Sequence, residues 1–142
     1  MPHNTATIRS VLLCDDIRQE ITGKIILIGL YSTVIGLAKI PSKIRFRSAI
    51  ILDIPDGGDY KMIFRLIDHS DNSIMETEME LSAVEPGNNI LLPGFVFGIN
   101  VDKPSNIEIQ YQDGGWQTIG TWQIRTVDER EQSLSLESAT DD

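Results

Sequence analysis

Cysteine occurs once in the 142 residues, histidine twice, and aromatic residues make up only 6%. A single cysteine, Cys14, forms no internal disulfide, and the chain has no Asn-x-Ser/Thr acceptor for glycosylation. His3 and His69 are far apart, whereas zinc takes about four converging ligands and a Ser-His-Asp or Cys-His site needs a base within hydrogen-bond reach. No apolar run approaches the roughly 20 residues of a membrane-crossing helix. The N-terminus, Met-Pro-His-Asn-Thr-Ala-Thr-Ile-Arg, lacks the basic flank and long apolar stretch of a signal peptide. "VLLC" at 11–14 puts bulky Leu13 where a lipoprotein cleavage site needs a small residue. These shortages lead to the expectation of a reduced, cytoplasmic protein without cofactor or metal.

Charge is present but uneven. The net charge is −9, and the stretch "VDEREQSLSLESATDD" at 127–142 holds six acids against Arg130. It is polar, serine-rich and aperiodic, so residues 128–142 read as a disordered acidic tail, residues 1–7 as a flexible terminus and 8–127 as one domain. An acidic balance disfavours nucleic acid and anionic membranes as partners.

Apolar residues recur with a period of two, the signature of half-buried strands. In "SIMETEMEL" (73–81), Met75, Thr77, Met79 and Leu81 share one face, and Glu76, Glu78 and Glu80 the other. "YKMIFRLI" before it places Tyr60, Met62, Phe64 and Leu66 opposite Lys61 and Arg65. A hairpin closed by 69–72 sets Arg65 against Glu76 and Lys61 against Glu80, a solvated face of opposite charges. In "NIEIQYQDGGWQTIGTWQI" (106–124), a two-residue Asp113-Gly114 turn sets Tyr111 beside Trp116 and Ile109 beside Thr118 on the core face. Further strands are expected at 8–14, 24–31, 44–52 and 90–101, with Phe95, Phe97, Ile99 and Val101 inward and Pro93-Gly94 at an edge, bulge or strand start. "KIILIGLY" is apolar on both faces and reads as central or doubly covered. About eight strands with Gly/Asp/Asn/Pro turns predict an all-β, antiparallel β-sandwich of immunoglobulin/C2-like type.

Between two greasy stretches stand Asp15, Asp16, Arg18 and Glu20. Either Asp16 caps a helical turn with Gln19 and Gly23 following, or the strand runs through "CDDIRQEI" and turns at Thr22-Gly23. The hairpin keeps backbone groups paired and is preferred; it sets Ile17 against Ile28 and Asp16 against Gly29. Adjacent Asp15 and Asp16 then point to opposite faces and form no hydrolytic dyad. Arg45 and Arg47 alternate with Ile44 and Phe46 and face outward, with Lys39 and Lys43 nearby. These cations suit an acidic partner or the chain's own tail.

"CDDIRQE" followed by "GK" and "LIGLY" resembles the opening of a widespread bacterial family of small proteins of unknown function. "IP" at 40–41, "RLID" at 65–68 and the late Asp-Gly turn fit as well, and the likeness covers about residues 8–127. It implies an all-β sandwich and brings no established activity, so no catalytic residue is carried over from it.

The weaker alternatives are a calcium module and an unrecognised hydrolase. If strands simply alternate in direction, Asp53, Asp56, Asp59, Glu85 and Asp113 share one end of the sandwich, with the turn at 15–23 bringing Glu20, and next to it Asp15 and Asp16, to the same end. Calcium takes about six to eight oxygen ligands, and "DIPDGGD" equally suits ordinary turn geometry. The expected function is a non-catalytic module that binds another protein, with Asp15, Asp16, Arg18, Glu20, Arg45 and Arg47 as candidate contacts.

Overall fold

The computed structural model describes residues 6–54, 56–85 and 87–127, with backbone only for 87–93. The expectations for residues 1–5 and 128–142 lie outside the described residues. The alternating segments become nine strands: β1 Thr7–Gln19, β2 Ile25–Tyr31, β3 Val34–Leu37, β4 Ser42–Ile54, β5 Gly58–Asp68, β6 Ser73–Val84, β7 Gly87–Val101, β8 Ser105–Gln112 and β9 Trp116–Thr126. They form two sheets, ordered β2-β1-β4-β7 and β3-β9-β8-β5-β6. The first is antiparallel; the second is mixed and strongly curled into a half-barrel. The fold is therefore all-β in two sheets, but the expected immunoglobulin/C2-like sandwich is not met beyond that. Among the described residues no helix is long and apolar enough to cross a membrane.

The alternating residues pack where their period directs them. Leu13, Phe46, Ile50 and Leu52 from one sheet meet Met62, Phe64, Leu66, Ile107 and Ile109 from the other, all essentially inaccessible. A chain of rings, edge-on between Phe97 and Phe95 and tilted elsewhere, crosses the interface: Phe46 to Phe97 (5.8 Å), Phe97 to Phe95 (4.6 Å), Phe95 to Phe64 (5.0 Å) and Phe64 to Tyr111 (5.2 Å). Such pairs contribute about 0.5–1.5 kcal/mol each beyond burial. The Tyr111 hydroxyl donates to the carbonyl of buried Ala6 (3.1 Å), which ties the chain's start to β8.

Pro93-Gly94 does mark a bulge on an edge strand. Arg47 pairs with Val96 and Ala49 with Pro93, so Gly94 and Phe95 together oppose Ser48. The Phe95 N–H donates to the buried Ser48 hydroxyl (3.0 Å), which donates back to the Phe95 carbonyl (3.1 Å). No buried polar group is stranded there.

Strand β3, absent from the sequence expectation, changes which loops meet. Leu37 ends β3 beside Thr126 at the end of β9, and residues 38–41 carry the chain across to the start of β4. Because β1 runs antiparallel to β4, the β1–β2 turn lies at the end where β4 starts. The end of β4, the end of β6 and the loop at 113–115 lie at the opposite end. Glu20 therefore never joins Asp53, Asp56, Asp59, Glu85 and Asp113: one uncounted strand reverses the parity of the turns.

Candidate functional site

The opening hairpin forms as a long ladder, and no helical turn interrupts it. Its register differs by one residue from the two-residue-turn expectation. Asp16 pairs with Ile28, Ile17 with Leu27 and Arg18 with Ile26. Glu20 N–H donates to the Lys24 carbonyl and Gly23 N–H to the Glu20 carbonyl (both 2.8 Å), enclosing a three-residue loop, Ile21-Thr22-Gly23. Gly23 supplies the positive φ (+89°) that such a loop needs at its last position.

This register decides what the outer face of the four-stranded sheet looks like. Cross-strand partners share a face, so Ile26, Ile28 and Leu30 join Arg18, Asp16 and Cys14. Strand β2 is an edge strand, not the central one expected from its two apolar faces. Leu30 is 57% exposed, Ile28 38% and Ile26 37%; across the sheet Val96 is 38% exposed. Between them Cys14 and Ala49 are fully covered. An apolar row thus runs from β2 to β7 with charges set into it.

Those charges form one cluster. The Asp16 carboxylate accepts from the Ile17 N–H (2.9 Å) and the Arg18 guanidinium (3.2 Å), and Arg47 approaches at 3.6 Å. The Arg18 hydrogen bond, then the Ile17 N–H and Arg47, hold Asp16 below the usual carboxylate range. Burial, reinforced by Asp15 and Asp16, pushes the Cys14 thiol up, so it stays protonated and poorly nucleophilic. Arg45 lies two residues further along the same face of β4, opposite Gly98.

Asp15 points the other way. It accepts from the Tyr31 hydroxyl, whose pKa burial and this carboxylate push up to about 12. Glu20 stays apart in the turn. The six candidates therefore divide: Asp16, Arg18 and Arg47 converge, Arg45 borders them, and Asp15 and Glu20 lie elsewhere.

Three of the acidic loop residues have local duties. Asp53 accepts from Arg9 (2.6 Å), Asp59 accepts the Ala83 N–H (2.8 Å), and the Asp56 carbonyl accepts the Tyr60 hydroxyl. Among the described residues no three His, Cys, Asp or Glu groups gather as a metal site would require.

A polar chain on the outer face of the other sheet has no signal in the local sequence. His69 Nε2 meets Glu108 (2.8 Å) and the Thr118 hydroxyl donates to Glu108 (2.6 Å). The Thr118 hydrogen bond, then those from His69 and Gln110, hold Glu108 below the ordinary glutamate range against partial burial. Beside it is an open cleft of about 440 Å³ that also touches Thr33, Val34 and Thr121. Thr118 donates to the carboxylate and not to the imidazole, and the lowered pKa of Glu108 makes it a weak acceptor for the hydroxyl proton.

The β5–β6 hairpin has the expected register, Lys61 opposite Glu80 and Arg65 opposite Glu76. The ion pair nevertheless runs diagonally, Lys61 to Glu78 (3.3 Å). Arg65 turns to Gln110 (2.6 Å) and lies over the Trp116 ring at 4.1 Å. Trp116 is thus outside, contrary to expectation. Gln112 pairs with Trp116 around a three-residue loop, Asp113-Gly114-Gly115, and one extra residue at Ile119 restores Trp122 and Ile124 to the core.

No curated protein matches the chain. The likeness read from the opening motif has a counterpart in a family model that spans a narrower range than residues 8–127. Residues 9–115, well over half of the sequence and including the hairpin, Arg45, Arg47 and the strands through β8, match the Family of unknown function (DUF6941), and the chain belongs to that family, to which no activity is assigned.

Proposed function

We propose that the chain is a non-catalytic protein-binding module of the reducing cytoplasm, and that its partner docks on the outer face of β2-β1-β4-β7. The observation that carries this reading is the exposed row Ile26, Ile28, Leu30 and Val96 around the Asp16–Arg18–Arg47 cluster. Full burial of such a side chain contributes about 1.5–3 kcal/mol. At their present exposure, covering all four gives roughly 2.5–5 kcal/mol, which at most matches the low end of the cost of association, about 4–15 kcal/mol. Apolar contact alone therefore does not hold a partner. One that also brings carboxylates to Arg18 and Arg45 gains charge pairing and a fixed orientation.

The test compares wild-type chain, Ile28→Lys/Leu30→Lys and Ile74→Lys in cross-linking capture from the native cell. Ile74 is 55% exposed on edge strand β6 of the other sheet and serves as the control. A partner captured by wild type and Ile74→Lys but lost from the double variant supports the face. Equal capture by all three, or none by the wild type, overturns it.

A further inference from the structure

Most arginines on the two sheets have a partner: Arg9 holds Asp53, Arg18 and Arg47 hold Asp16, and Arg65 holds Gln110. Lys39, Lys43 and Arg45 differ. All three are exposed, and among the described residues no carboxylate lies within ion-pair distance of them. Lys43 and Arg45 point outward from the start of β4, opposite Asn100 and Gly98 of β7. Gly98 has open space where a side chain would stand, and an open cleft of about 400 Å³ lies there, bounded also by Ile44 and Ile99. Asp102 follows at this corner, but Lys103 next to it offsets its charge. In a chain of net charge −9, this is a local excess of positive charge beside an empty groove.

The last described residue is at the same end of the fold. The Val127 N–H donates to the Leu37 carbonyl (3.0 Å), and Lys39 is two residues beyond Leu37. Lys43 is six steps along the chain from Leu37, which bounds their distance at about 20 Å. Residues 128–142 carry six acids and one arginine, −5 of the −9. Fifteen residues reach up to about 50 Å, far enough to cover the corner and the groove.

We propose that the acidic segment 128–142 docks in cis on Lys39, Lys43 and Arg45 and covers the Gly98 groove. Exposed ion pairs are individually weak, a factor of a few in an equilibrium. A tether of this length supplies an effective concentration on the order of millimolar, which a free acidic peptide does not have. The repulsion between an acidic chain and an acidic stranger favours the tethered segment further. The groove borders the face proposed above, so the docked segment competes there with any partner that seeks Arg45. The docking itself does not depend on that function.

The experiment uses the full chain with a nitroxide on Ser135→Cys. Cys14 is fully covered, and wild-type chain that takes up no label confirms selective attachment. Amide signals of Lys39, Lys43–Arg45 and Gly98–Asn100 are expected to be lost at low salt. They return at ~1 M salt, where the Debye length falls to about 3 Å. They also return in Lys39→Glu/Lys43→Glu/Arg45→Glu or, should that variant not fold, in Lys43→Gln/Arg45→Gln. Loss confined to the neighbours of Val127, or unchanged by salt and charge reversal, overturns the proposal. Loss seen only between labelled and unlabelled molecules assigns the segment to a second copy and overturns it equally.

Discussion

Gly29 tests whether the Asp15–Tyr31 contact organises the opening hairpin. Its φ is +68°, a conformation in which an alanine costs about 1–2 kcal/mol because Cβ crowds the following carbonyl. A Cβ there would also overlap Asp15 Oδ2 and stand 2.8 Å from its Cγ, so the carboxylate must swing off the Tyr31 hydroxyl. A hydrogen bond to a charged group contributes about 1.5–3 kcal/mol when shielded. Asp15 is exposed, which reduces the figure here to about 1 kcal/mol. Gly29→Ala is therefore expected to cost about 2–3 kcal/mol in the wild-type chain. With Asp15→Ala already in place, only the backbone strain of about 1–2 kcal/mol remains.

Urea unfolding of the four proteins measures that coupling of about 1 kcal/mol, provided the m-values agree. The Tyr31 titration supplies an independent readout. Its pKa of about 12 is expected to fall in both Gly29→Ala and Asp15→Ala, since both remove the carboxylate from the hydroxyl. Burial, the larger cause, keeps it above the ordinary tyrosine value of about 10. The sign follows from linkage: a raised folded-state pKa gives stability that is complete below about pH 10 and lost as pH climbs toward 12. Equal costs of Gly29→Ala in both backgrounds, with Tyr31 unmoved, would refute the reasoning.

Thr118→Val removes the main cause of Glu108's lowered pKa, which is expected to rise toward the ordinary value of about 4.3 in a carboxyl-carbon NMR titration. Because a depressed carboxylate stabilises the fold above its unfolded pKa and ceases to do so in acid, this variant should also lose less stability below about pH 4; an unchanged titration contradicts the assignment. Phe64→Ala empties the position that links Phe95 to Tyr111 and should cost about 3–5 kcal/mol by denaturant midpoint, a loss under about 2 arguing against a continuous ring cluster. Deleting Gly115 leaves a two-residue Asp113-Gly114 turn, which should draw Trp116 off Arg65 toward the Tyr111 face and shift its fluorescence to the blue. An unaltered emission spectrum would show that the three-residue loop does not set the face of Trp116.

Faces that depend on one strand alone were legible. Phe95, Phe97, Ile99 and Val101 point inward, as do Tyr60, Met62, Phe64 and Leu66, because a period of two is a property of the strand itself. The register of β5 against β6 was legible too, since charge and apolar rows on both strands allow only one match. Strand β3 was not: "VIGL" offers four residues and no alternation, and it is held by parallel pairing to β9 some 90 positions away in sequence. The His69–Glu108 contact joins groups 39 residues apart and left no local trace for the same reason.

The candidate face shows how one residue in a turn decides what a sheet presents to water. Thr22-Gly23 and Asp113-Gly114 both suit two-residue turns, yet the chain uses three residues at each. A longer loop shifts the partner strand by one position, and one position exchanges its two faces. In β9 the extra residue at Ile119 undoes the exchange, and the core regains Trp122 and Ile124. In β2 the described ladder continues in the shifted register from Gln19↔Ile25 to Leu13↔Tyr31. Ile26, Ile28 and Leu30 consequently remain beside Arg18 and Asp16 on the water side of an edge strand. A strand apolar on both faces has no register that hides both, and its placement at the edge leaves Ile26, Ile28 and Leu30 exposed.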